Sequence, residues 1–319
     1  MYINIDDTFF IKDEINNEAL HQCISFIAKQ KSVSKSLIEK AYKNKKLTNI
    51  KLPGNVFDKN LDIIIKRKFN NDLKFVNLNE SEIFYEYNDK SRLFLDKINK
   101  FKLKDIKFFP PTYFNDNLIF QKLTKGTYYR PSKLSEFNKD LLNNIKEIIV
   151  ILSSLNKEDS KVSEYLSKAS NNNAKDKLNS EIISSSISKL KEYHNENIKL
   201  SLTHGDFKFE HLFLLDSRIE YIIDWENVGI RSIYFDLFNF FVPWFARRSY
   251  KYFEIKDYIL NFIKNYLPNL LKNIEEKYDL YFCIFVVERY RRINDARSLR
   301  FDEDEAYNRF NLLFKNLIN

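Results

Sequence analysis

Apolar residues recur at two different spacings along the chain, and the change of spacing divides it into two regions. Between residues 48 and 123, short apolar runs alternate with polar turns, as in LDIIIKRKF, LKFVNL, IFYEY, IKFFPPTYF and NLIFQKL. Such runs, bounded by turn residues, are typical of β-strands. Among them only residues 90–103 place their apolar side chains on one side of a helix. This region is therefore predicted to be rich in strands.

Helical spacing dominates the rest of the chain. It is found at 18–47, 136–155, near 179–195 and over 234–319. Residues 125–132 are predicted to be a loop, and the polar residues 156–177 a surface excursion. The pattern predicts an α+β protein with a small sheet-rich N-terminal lobe, including a helical part, over 1–123. A larger, mostly helical C-terminal lobe is expected over 124–319.

A hairpin is predicted inside the helical region. HLFLL and IEYIID are apolar runs on either side of the turn signal DSR. With a loop at Ser217-Arg218, the two positions of each pair sum to 435, and His211 lies opposite Asp224. Side chains that face each other in this way have Cβ atoms about 5 Å apart. Asp206, on the loop before the hairpin, is expected to join them.

Composition and charge narrow the class of protein. The chain has 319 residues, is 44% hydrophobic and carries a formal net charge of +8, which suits a globular protein with a substantial core. Its basic residues form short clusters without a nucleic-acid-binding motif, so no nucleic-acid partner is expected. Anionic ligands and peripheral contact with a membrane surface both remain compatible with the charge. Cys23 and Cys283 have no metal-type spacing and are predicted to be reduced and buried.

The chain shows no sign of export or of membrane insertion. Its first residues, MYINIDDTFFIKDE, are acidic and lack the pattern of a signal peptide. No apolar stretch reaches the length of about 18 residues that a membrane span requires. A cytoplasmic location is therefore expected.

Glycine is scarce in the chain, and two of its four glycines lie between residues 204 and 236. The chain has only four glycines, Gly54, Gly126, Gly205 and Gly229, so each is expected where the backbone cannot accept a side chain. Two of them lie in this segment, together with Asp206, His211 and Asp224. A carboxylate on a loop can accept a proton from a hydroxyl. A second carboxylate with one further ligand can hold a divalent cation against phosphate oxygens. These are the parts that phosphoryl transfer requires.

The same segment resembles the aminoglycoside phosphotransferase and choline kinase family, which has a protein-kinase-like fold. The resemblance lies in His204-Gly205-Asp206, Ile223-Asp224-Trp225-Glu226 and the run VGIRSIYFDLFNFF at 228–241. It implies that Asp206 is the catalytic base and Asp224 the main magnesium ligand. Asp236 and His204 would support the catalytic loop, and Glu226 would stand behind the ligands. ATP with Mg²⁺, or with Mn²⁺, would be the cofactor.

His211 departs from the family pattern, which has asparagine at this position. Histidine binds metals through a neutral ring nitrogen, whereas magnesium prefers oxygen ligands. Three interpretations remain open: an unusual metal ligand, a hydrogen-bonding partner behind the ligands, or a sign of lost activity.

The resemblance also implies a nucleotide site in the N-terminal lobe. The linker near Gln121 and Leu123 would meet adenine, and Lys66 or Lys74 would hold the α- and β-phosphates. That lysine would pair with a glutamate on a helix, for which Glu82 and Glu86 are the candidates. The segment PGN at 53–55 contains the only glycine that could belong to a phosphate-covering loop.

The predicted function is an ATP-dependent kinase that phosphorylates a hydroxyl of a small molecule or sugar. The positive charge favours an anionic acceptor, such as a precursor of a cell-surface polysaccharide or lipopolysaccharide. Four arginines are candidates for its site, with exposed helix charges as the alternative interpretation: Arg247, Arg248, Arg289 and Arg292. The rival is a catalytically impaired kinase-like protein that binds nucleotide or a partner. A basic RNA-binding protein is a third interpretation, for which no motif is present.

Overall fold

The structure of the protein is a computed structural model. It describes residues 1–31, 33–48, 50, 61–66, 73–78, 82–86, 89–115, 118–122, 127–128, 131, 133–169, 177–216 and 218–296. Leu123 and the segment 53–55, both predicted to meet the nucleotide, lie outside the described residues. No described helix has both the length and the apolar character that crossing a membrane would need.

The chain forms two compact units. The first consists of residues 1–130 and 210–223, and the second of residues 131–209 and 224–319. The hairpin region thus belongs to the first unit, although it follows much of the second along the chain. The lobe ranges expected from the sequence, 1–123 and 124–319, stay a prediction.

An antiparallel sheet of eight strands forms the body of the first unit. The strands are β1 (Tyr2–Asn4), β2 (Phe9–Lys12), β3 (Leu47–Thr48), β4 (Ile63–Lys66), β5 (Leu73–Asn77), β6 (Glu82–Glu86), β7 (Thr112–Asn115) and β8 (Leu118–Lys122). Their spatial order is β3-β1-β2-β4-β5-β6-β8-β7. The helices of this unit are α1 (Asn17–Lys31), α2 (Lys35–Lys43) and α3 (Asp89–Lys100).

Both faces of this sheet carry apolar residues. On one face, Cys23 and Ile27 of α1 pack in a cluster with Ile63 and Val76. On the other face, the rings of Phe75, Phe84 and Phe120 lie side by side, with centroids 5.4 and 5.2 Å apart. The alternation of side chains along each strand explains why neighbouring residues such as Phe75 and Val76 enter different clusters.

The predicted hairpin is present, with a different register. Its strands are β12 (Leu212–Leu215) and β13 (Arg218–Ile222), and β12 also pairs with β9 (Thr127–Tyr128). Leu215 pairs with Arg218, and the register shifts between Phe213 and Leu214. Glu220 therefore stands between two pairs without a Cα partner of its own in β12, which is the geometry of a β-bulge.

The predicted pairing of His211 with Asp224 is wrong, because the strand pairing begins at Leu215 and Arg218 and not at Asp216 and Ile219. The N–H of Ile223 donates to the carbonyl of His211 at 2.9 Å, so His211 lies beside Ile223 and Asp224 follows one residue later. The predicted pair sum of 435 is replaced by pairs such as Leu212 with Ile222. The start of the pairing lowers the pair sum from 435 to 433, and the bulge at Glu220 raises it to 434 for the pairs beyond it.

The second unit is mostly helical and contains a small antiparallel sheet. Its helices are α4 (Lys139–Ser154), α5 (Val162–Ala169), α6 (Lys177–Lys191), α7 (Phe235–Ala246), α8 (Tyr252–Tyr266), α9 (Pro268–Ile274) and α10 (Tyr278–Ala296). Its strands are β10 (Glu158–Lys161), β11 (Asn197–Thr203) and β14 (Gly229–Ser232), with β11 in the middle. The central strand β11 leads directly into His204-Gly205-Asp206.

Helix α7 lies in the core of the second unit. Its sequence, FDLFNFFVPWFA, has only two polar residues, Asp236 and Asn239, and both are buried. Phe238 packs against Phe282 and Phe285 of α10, with ring centroids 5.4 and 5.5 Å apart. Burial of such rings contributes about 1.5–3 kcal/mol each, so α7 is firmly fixed in place.

The α+β fold predicted from the sequence is confirmed, and so are the main helices within the described residues; positions 297–319 of the predicted helical region 234–319 lie outside them. Two local predictions are wrong. The excursion at 156–177 contains β10 and α5, and the loop at 125–132 contains β9. β10 escaped detection because it is an edge strand with mostly exposed, polar side chains and therefore shows no apolar alternation. The strand predicted in IKFFPPTYF is limited to Thr112–Asn115, since the two prolines before it lack N–H donors.

The two cysteines provide a test of this packing. Cys23 and Cys283 are free and buried, as predicted. Burial raises the pKa of the Cys23 thiol to about 12, helped by the charge of Asp62, and burial raises the pKa of Cys283 to about 11. Both thiols should stay protonated at mildly alkaline pH, where only the thiolate reacts with iodoacetamide. We expect neither to be alkylated in the native protein, by mass spectrometry, and both after denaturation in guanidinium. Rapid labelling of the native protein would contradict this packing.

Candidate active site

The turn after β11 requires glycine at residue 205 for two reasons. Gly205 has a φ of +81°, a backbone conformation that costs other residues about 1–2 kcal/mol. A Cβ atom at this position would also lie 2.2 Å from the carbonyl oxygen of Asn227 and 2.8 Å from Nη1 of Arg231. The backbone of the turn therefore approaches the chain after Asp224 more closely than a side chain would permit.

Asp236 holds this turn from the first turn of α7. Its carboxylate accepts the N–H of His204 at 2.6 Å through Oδ2 and the N–H of Gly205 at 2.9 Å through Oδ1. The carboxylate is buried, and two backbone donors compensate for its removal from water. The chain direction at residues 204 and 205 is thus fixed by a side chain that lies 32 and 31 positions, respectively, further along the sequence.

His204 supports the turn from inside the unit. The ring is fully buried and lies against Trp225, with centroids 4.6 Å apart. Its Nδ1 accepts the N–H of Asp206 at 3.2 Å, so Nδ1 carries no proton. The histidine fixes the backbone of the residue that the sequence predicts to be the base.

Asp224 follows the hairpin in an unusual backbone conformation. Its φ is 67° and its ψ is 47°, in the left-handed region, which aspartate tolerates better than most residues with a side chain. The short 3₁₀ turn Trp225–Asn227 follows directly. This conformation turns the chain sharply between the hairpin and the 3₁₀ turn, and the Oδ1 atom of Asp224 is shielded from solvent.

Potential metal-ligand atoms of three predicted site residues lie close together. One atom each from Asp206, His211 and Asp224 lies within 4.8 Å of the other two. Among the described residues, Glu226 does not belong to this group. Two carboxylates suit Mg²⁺, and an imidazole is a better ligand for Mn²⁺ than for Mg²⁺. The donor set therefore fits a divalent cation.

Comparisons with known proteins place this segment within a family match. Residues 152–264 match the family model described as the phosphotransferase enzyme family, and that range includes every residue of the 204–236 segment. Comparison with curated protein sequences gives no match. The chain resembles the aminoglycoside phosphotransferase and choline kinase family. The resemblance predicted from the sequence motif is thus confirmed.

Solved structures show the kinase-like fold. A thermostable mutant of aminoglycoside phosphotransferase APH(4)-Ia matches with a TM-score of 0.56 at 10% identity, covering 81% of this chain and 94% of that chain. Choline kinase LicA from Streptococcus pneumoniae matches with a TM-score of 0.54 at 15% identity, covering 77% of this chain and 89% of that chain. At such low identity the likeness concerns the fold alone.

Lys208 is a site residue that the sequence analysis missed. Its Nζ lies 2.8 Å from Oδ2 of Asp206, so a positive charge stands beside the predicted base of the kinase-like site. The signal in the sequence was the lysine two positions after Asp206 in HGDFKFEH. It is easily overlooked in a chain that has 52 lysines and arginines.

The predicted nucleotide residues lie on the sheet of the first unit. Lys66 pairs with Leu73, and Lys74 pairs with Ile65. Since directly paired residues share a face and neighbours along a strand alternate, the two lysines project from opposite faces. A nucleotide bound on one face can therefore meet only one of them. Gln121 pairs with Ile83, which places it on the same face as Lys74.

The glutamates proposed as partners of these lysines lie on a strand and not on a helix. Glu82 and Glu86 both lie on strand β6, whereas a glutamate on a helix was expected. Glu82 accepts the hydroxyl of Tyr113 at 2.6 Å and forms an ion pair with Lys122 at 3.1 Å. These contacts hold neighbouring strands of the sheet together.

Two of the four arginines considered for an acceptor site, Arg248 and Arg289, have structural contacts. Arg248 stacks on Trp244 at 3.8 Å and donates to the carbonyl of Pro131 at 3.1 Å. Its pKa is lowered, chiefly by burial and then by the charge of Arg247. Arg289 donates to Asn239, Arg247 is exposed, and the side chain of Arg292 lies outside the described part of the chain.

The two glycines of the segment give a matched test of the turn. Gly205→Ala should lower the free energy of unfolding by at least about 2 kcal/mol, because alanine meets both the positive φ and the Asn227 carbonyl. At Gly229 a Cβ atom would lie 3.4 Å from the flexible end of Arg231, so Gly229→Ala should cost less than about 1 kcal/mol. Urea unfolding measures both variants. Equal losses would contradict the close approach at Gly205.

Proposed function

We propose that the protein is an ATP-dependent phosphotransferase that transfers the γ-phosphate to a hydroxyl of a small molecule or sugar. The observation that carries this proposal is the grouping of Asp206, His211 and Asp224 within 4.8 Å, inside a segment that matches the phosphotransferase enzyme family. A base and a cation site side by side are the minimum that phosphoryl transfer to a hydroxyl requires.

Asp206 is the base in this proposal. Its side chain keeps a small exposed fraction of 13%, so it is shielded without being closed off from a substrate. The ammonium group of Lys208 favours the ionised carboxylate, which is the form that accepts a proton. As the acceptor oxygen bonds to the γ-phosphorus and ADP leaves, its proton passes to Asp206. Lys208 is also placed to balance negative charge near this carboxylate.

Asp224 would hold the divalent cation beside the base Asp206, with His211 as a further ligand. When bound, Mg²⁺ or Mn²⁺ supplies charge neutralisation at the phosphate oxygens. The left-handed backbone of Asp224 and the buried partners of residues 204 and 205 fix where these carboxylates stand. His204 and Asp236 are therefore positioning residues, and Glu226 stands behind the ligand group.

ATP is the proposed phosphate donor. Another thermostable mutant of APH(4)-Ia was solved as a ternary complex with AMP-PNP and hygromycin B, and it matches this chain with a TM-score of 0.53 at 9% identity over 81% of this chain and 95% of that chain. In the first unit we propose Lys74 or Lys66 as the phosphate-binding lysine. By strand register, Gln121 shares a sheet face with Lys74 and not with Lys66. This favours Lys74 if Gln121 and Leu123 contact the adenine of ATP.

The acceptor we propose is an anionic sugar-like molecule, such as a precursor of a surface polysaccharide or lipopolysaccharide. The net charge of +8 attracts anions over long range and repels polycations. The similar structures come from enzymes named for aminoglycosides and for choline, so the fold is compatible with more than one acceptor. The proposed location is the cytoplasm, where ATP is available.

A catalytically impaired kinase-like protein is the second candidate, favoured by histidine at residue 211. If the imidazole prevents productive magnesium binding, the protein would bind nucleotide without transferring its phosphate. In that case His211→Asn, which supplies the oxygen ligand that magnesium prefers, would raise the rate. If His211 is a working ligand, the same substitution would leave the rate equal or lower and shift the metal preference from Mn²⁺ toward Mg²⁺.

The principal test is phosphate transfer from ATP, followed by ³¹P NMR, to a panel of sugars, sugar phosphates, choline and aminoglycosides. The wild type should phosphorylate at least one acceptor in a metal-dependent reaction. Asp206→Asn should lower kcat about a hundredfold or more, because a general base contributes at least that factor.

The control is Asp257→Asn, which makes the same chemical change at an exposed position of α8. It should keep the wild-type rate. Wild-type kcat in Asp206→Asn would refute the assignment of the base. Binding of MgATP without turnover in the wild type, together with turnover in His211→Asn, would favour the impaired kinase.

A further inference from the structure

Asn239, the second polar side chain of α7, forms a hydrogen bond to the loop on the C-terminal side of Asp206. The amide Nδ2 of Asn239 donates to the carbonyl oxygen of Phe207 at 2.9 Å. Phe207 is fully buried and Asn239 is only 1% exposed, so water cannot replace this bond. A buried carbonyl without a donor would be costly. Asn239 therefore fixes the peptide that immediately follows the proposed base.

Arg289 of α10 fixes the orientation of this amide. It donates through Nη1 to Oδ1 of Asn239. A guanidinium has donors only, so the oxygen of Asn239 must face Arg289, and the NH₂ group must then face Phe207. The arginine thus determines which end of the amide meets the loop, in addition to holding the side chain.

Helix α7 consequently holds both flanks of Asp206. Asp236 accepts the N–H groups of His204 and Gly205, and Asn239, one turn later, donates to the carbonyl of Phe207. These are the only polar residues of an otherwise apolar helix. Residues at i and i+3 lie on the same side of a helix, which explains how both reach one loop.

We propose that Asn239 and Arg289 form a positioning pair that sets the orientation of Asp206 for proton transfer. The proposal rests on the function proposed above. Asn239 contacts the loop through the carbonyl of Phe207, so the pair should act on kcat and leave the KM for ATP unchanged. A displacement of about 1 Å at a reacting group can cost about a hundredfold in rate.

Asn239→Asp is the most informative variant. Aspartate has nearly the same shape as asparagine. It still accepts from Arg289, now with a full negative charge, but it has no N–H group to donate to the carbonyl of Phe207. Arg289→Met keeps the length of the side chain and frees the amide to turn. Arg289→Lys keeps a donor and should rescue part of the effect of Arg289→Met, which a role in packing alone would not predict.

Tyr234→Phe is the matched control. The Tyr234 hydroxyl donates to the carbonyl of Leu270 at 2.7 Å, so this variant also loses one bond from a largely buried side chain to a backbone carbonyl. It lies next to α7, and the bond that it loses goes to Leu270 and not to the loop. Its effect on stability should resemble that of the Asn239 variant, while its effect on the loop should be absent.

Two measurements test the proposal. Hydrogen exchange by mass spectrometry should show amide exchange in residues 203–209 about tenfold faster in Asn239→Asp than in the wild type or Tyr234→Phe. In the phosphate-transfer assay, kcat should fall about tenfold to a hundredfold in Asn239→Asp, with the KM for ATP unchanged.

The outcomes separate this proposal from the proposed function. Unchanged exchange in 203–209 would overturn the positioning pair, whatever the activity. Faster exchange with wild-type kcat would overturn its role in positioning the base. If the wild type transfers no phosphate to any acceptor, the proposed function fails, and with it the role in proton transfer; the exchange result then decides only whether the pair holds the loop.

Discussion

The candidate site depends on one buried carboxylate. Asp236 accepts two consecutive backbone N–H groups, those of His204 and Gly205, and so fixes the turn that presents Asp206. Backbone N–H groups that point into an apolar core need an acceptor, and a carboxylate binds two such donors strongly. Loss of this contact would free the turn at the residues where the site requires a defined geometry.

The aromatic core makes that contact rigid. Helix α7 is buried against α10 through phenylalanine rings such as Phe238 and Phe285, and interiors of this density resist displacement of a whole helix. Asp236 and Asn239 are therefore fixed points from which the loop is held. On the other side, the carbonyl of Asn227 leaves room only for glycine at residue 205. The loop is thus confined by a helix on one side and by the backbone after Asp224 on the other.

The sequence was sufficient for the fold class and for the motif residues, since both depend on local patterns. Apolar spacing indicates helices such as α4, and the joint occurrence of HGD and IDWE indicates the site. It was insufficient for the register of the hairpin, because the pairing begins at Leu215 and Arg218 and a bulge follows near Glu220, and no local pattern signals either feature. Lys208 and Asn239 were missed for a different reason. Their roles depend on contacts that only the folded chain makes, although two polar residues in an otherwise apolar helix were a signal for Asn239.

The most direct test of this account is the position of a bound cation. A crystal structure of the protein with Mn²⁺ and AMP-PNP, with the metal located by its anomalous scattering, would show it. The account predicts an anomalous peak within coordination distance of a carboxylate oxygen of Asp224, with the carboxylate of Asp206 beside it, while Asp236 stays bonded to the backbone of residues 204 and 205. A cation bound elsewhere, with the carboxylates of Asp206 and Asp224 directed away from each other, would contradict it.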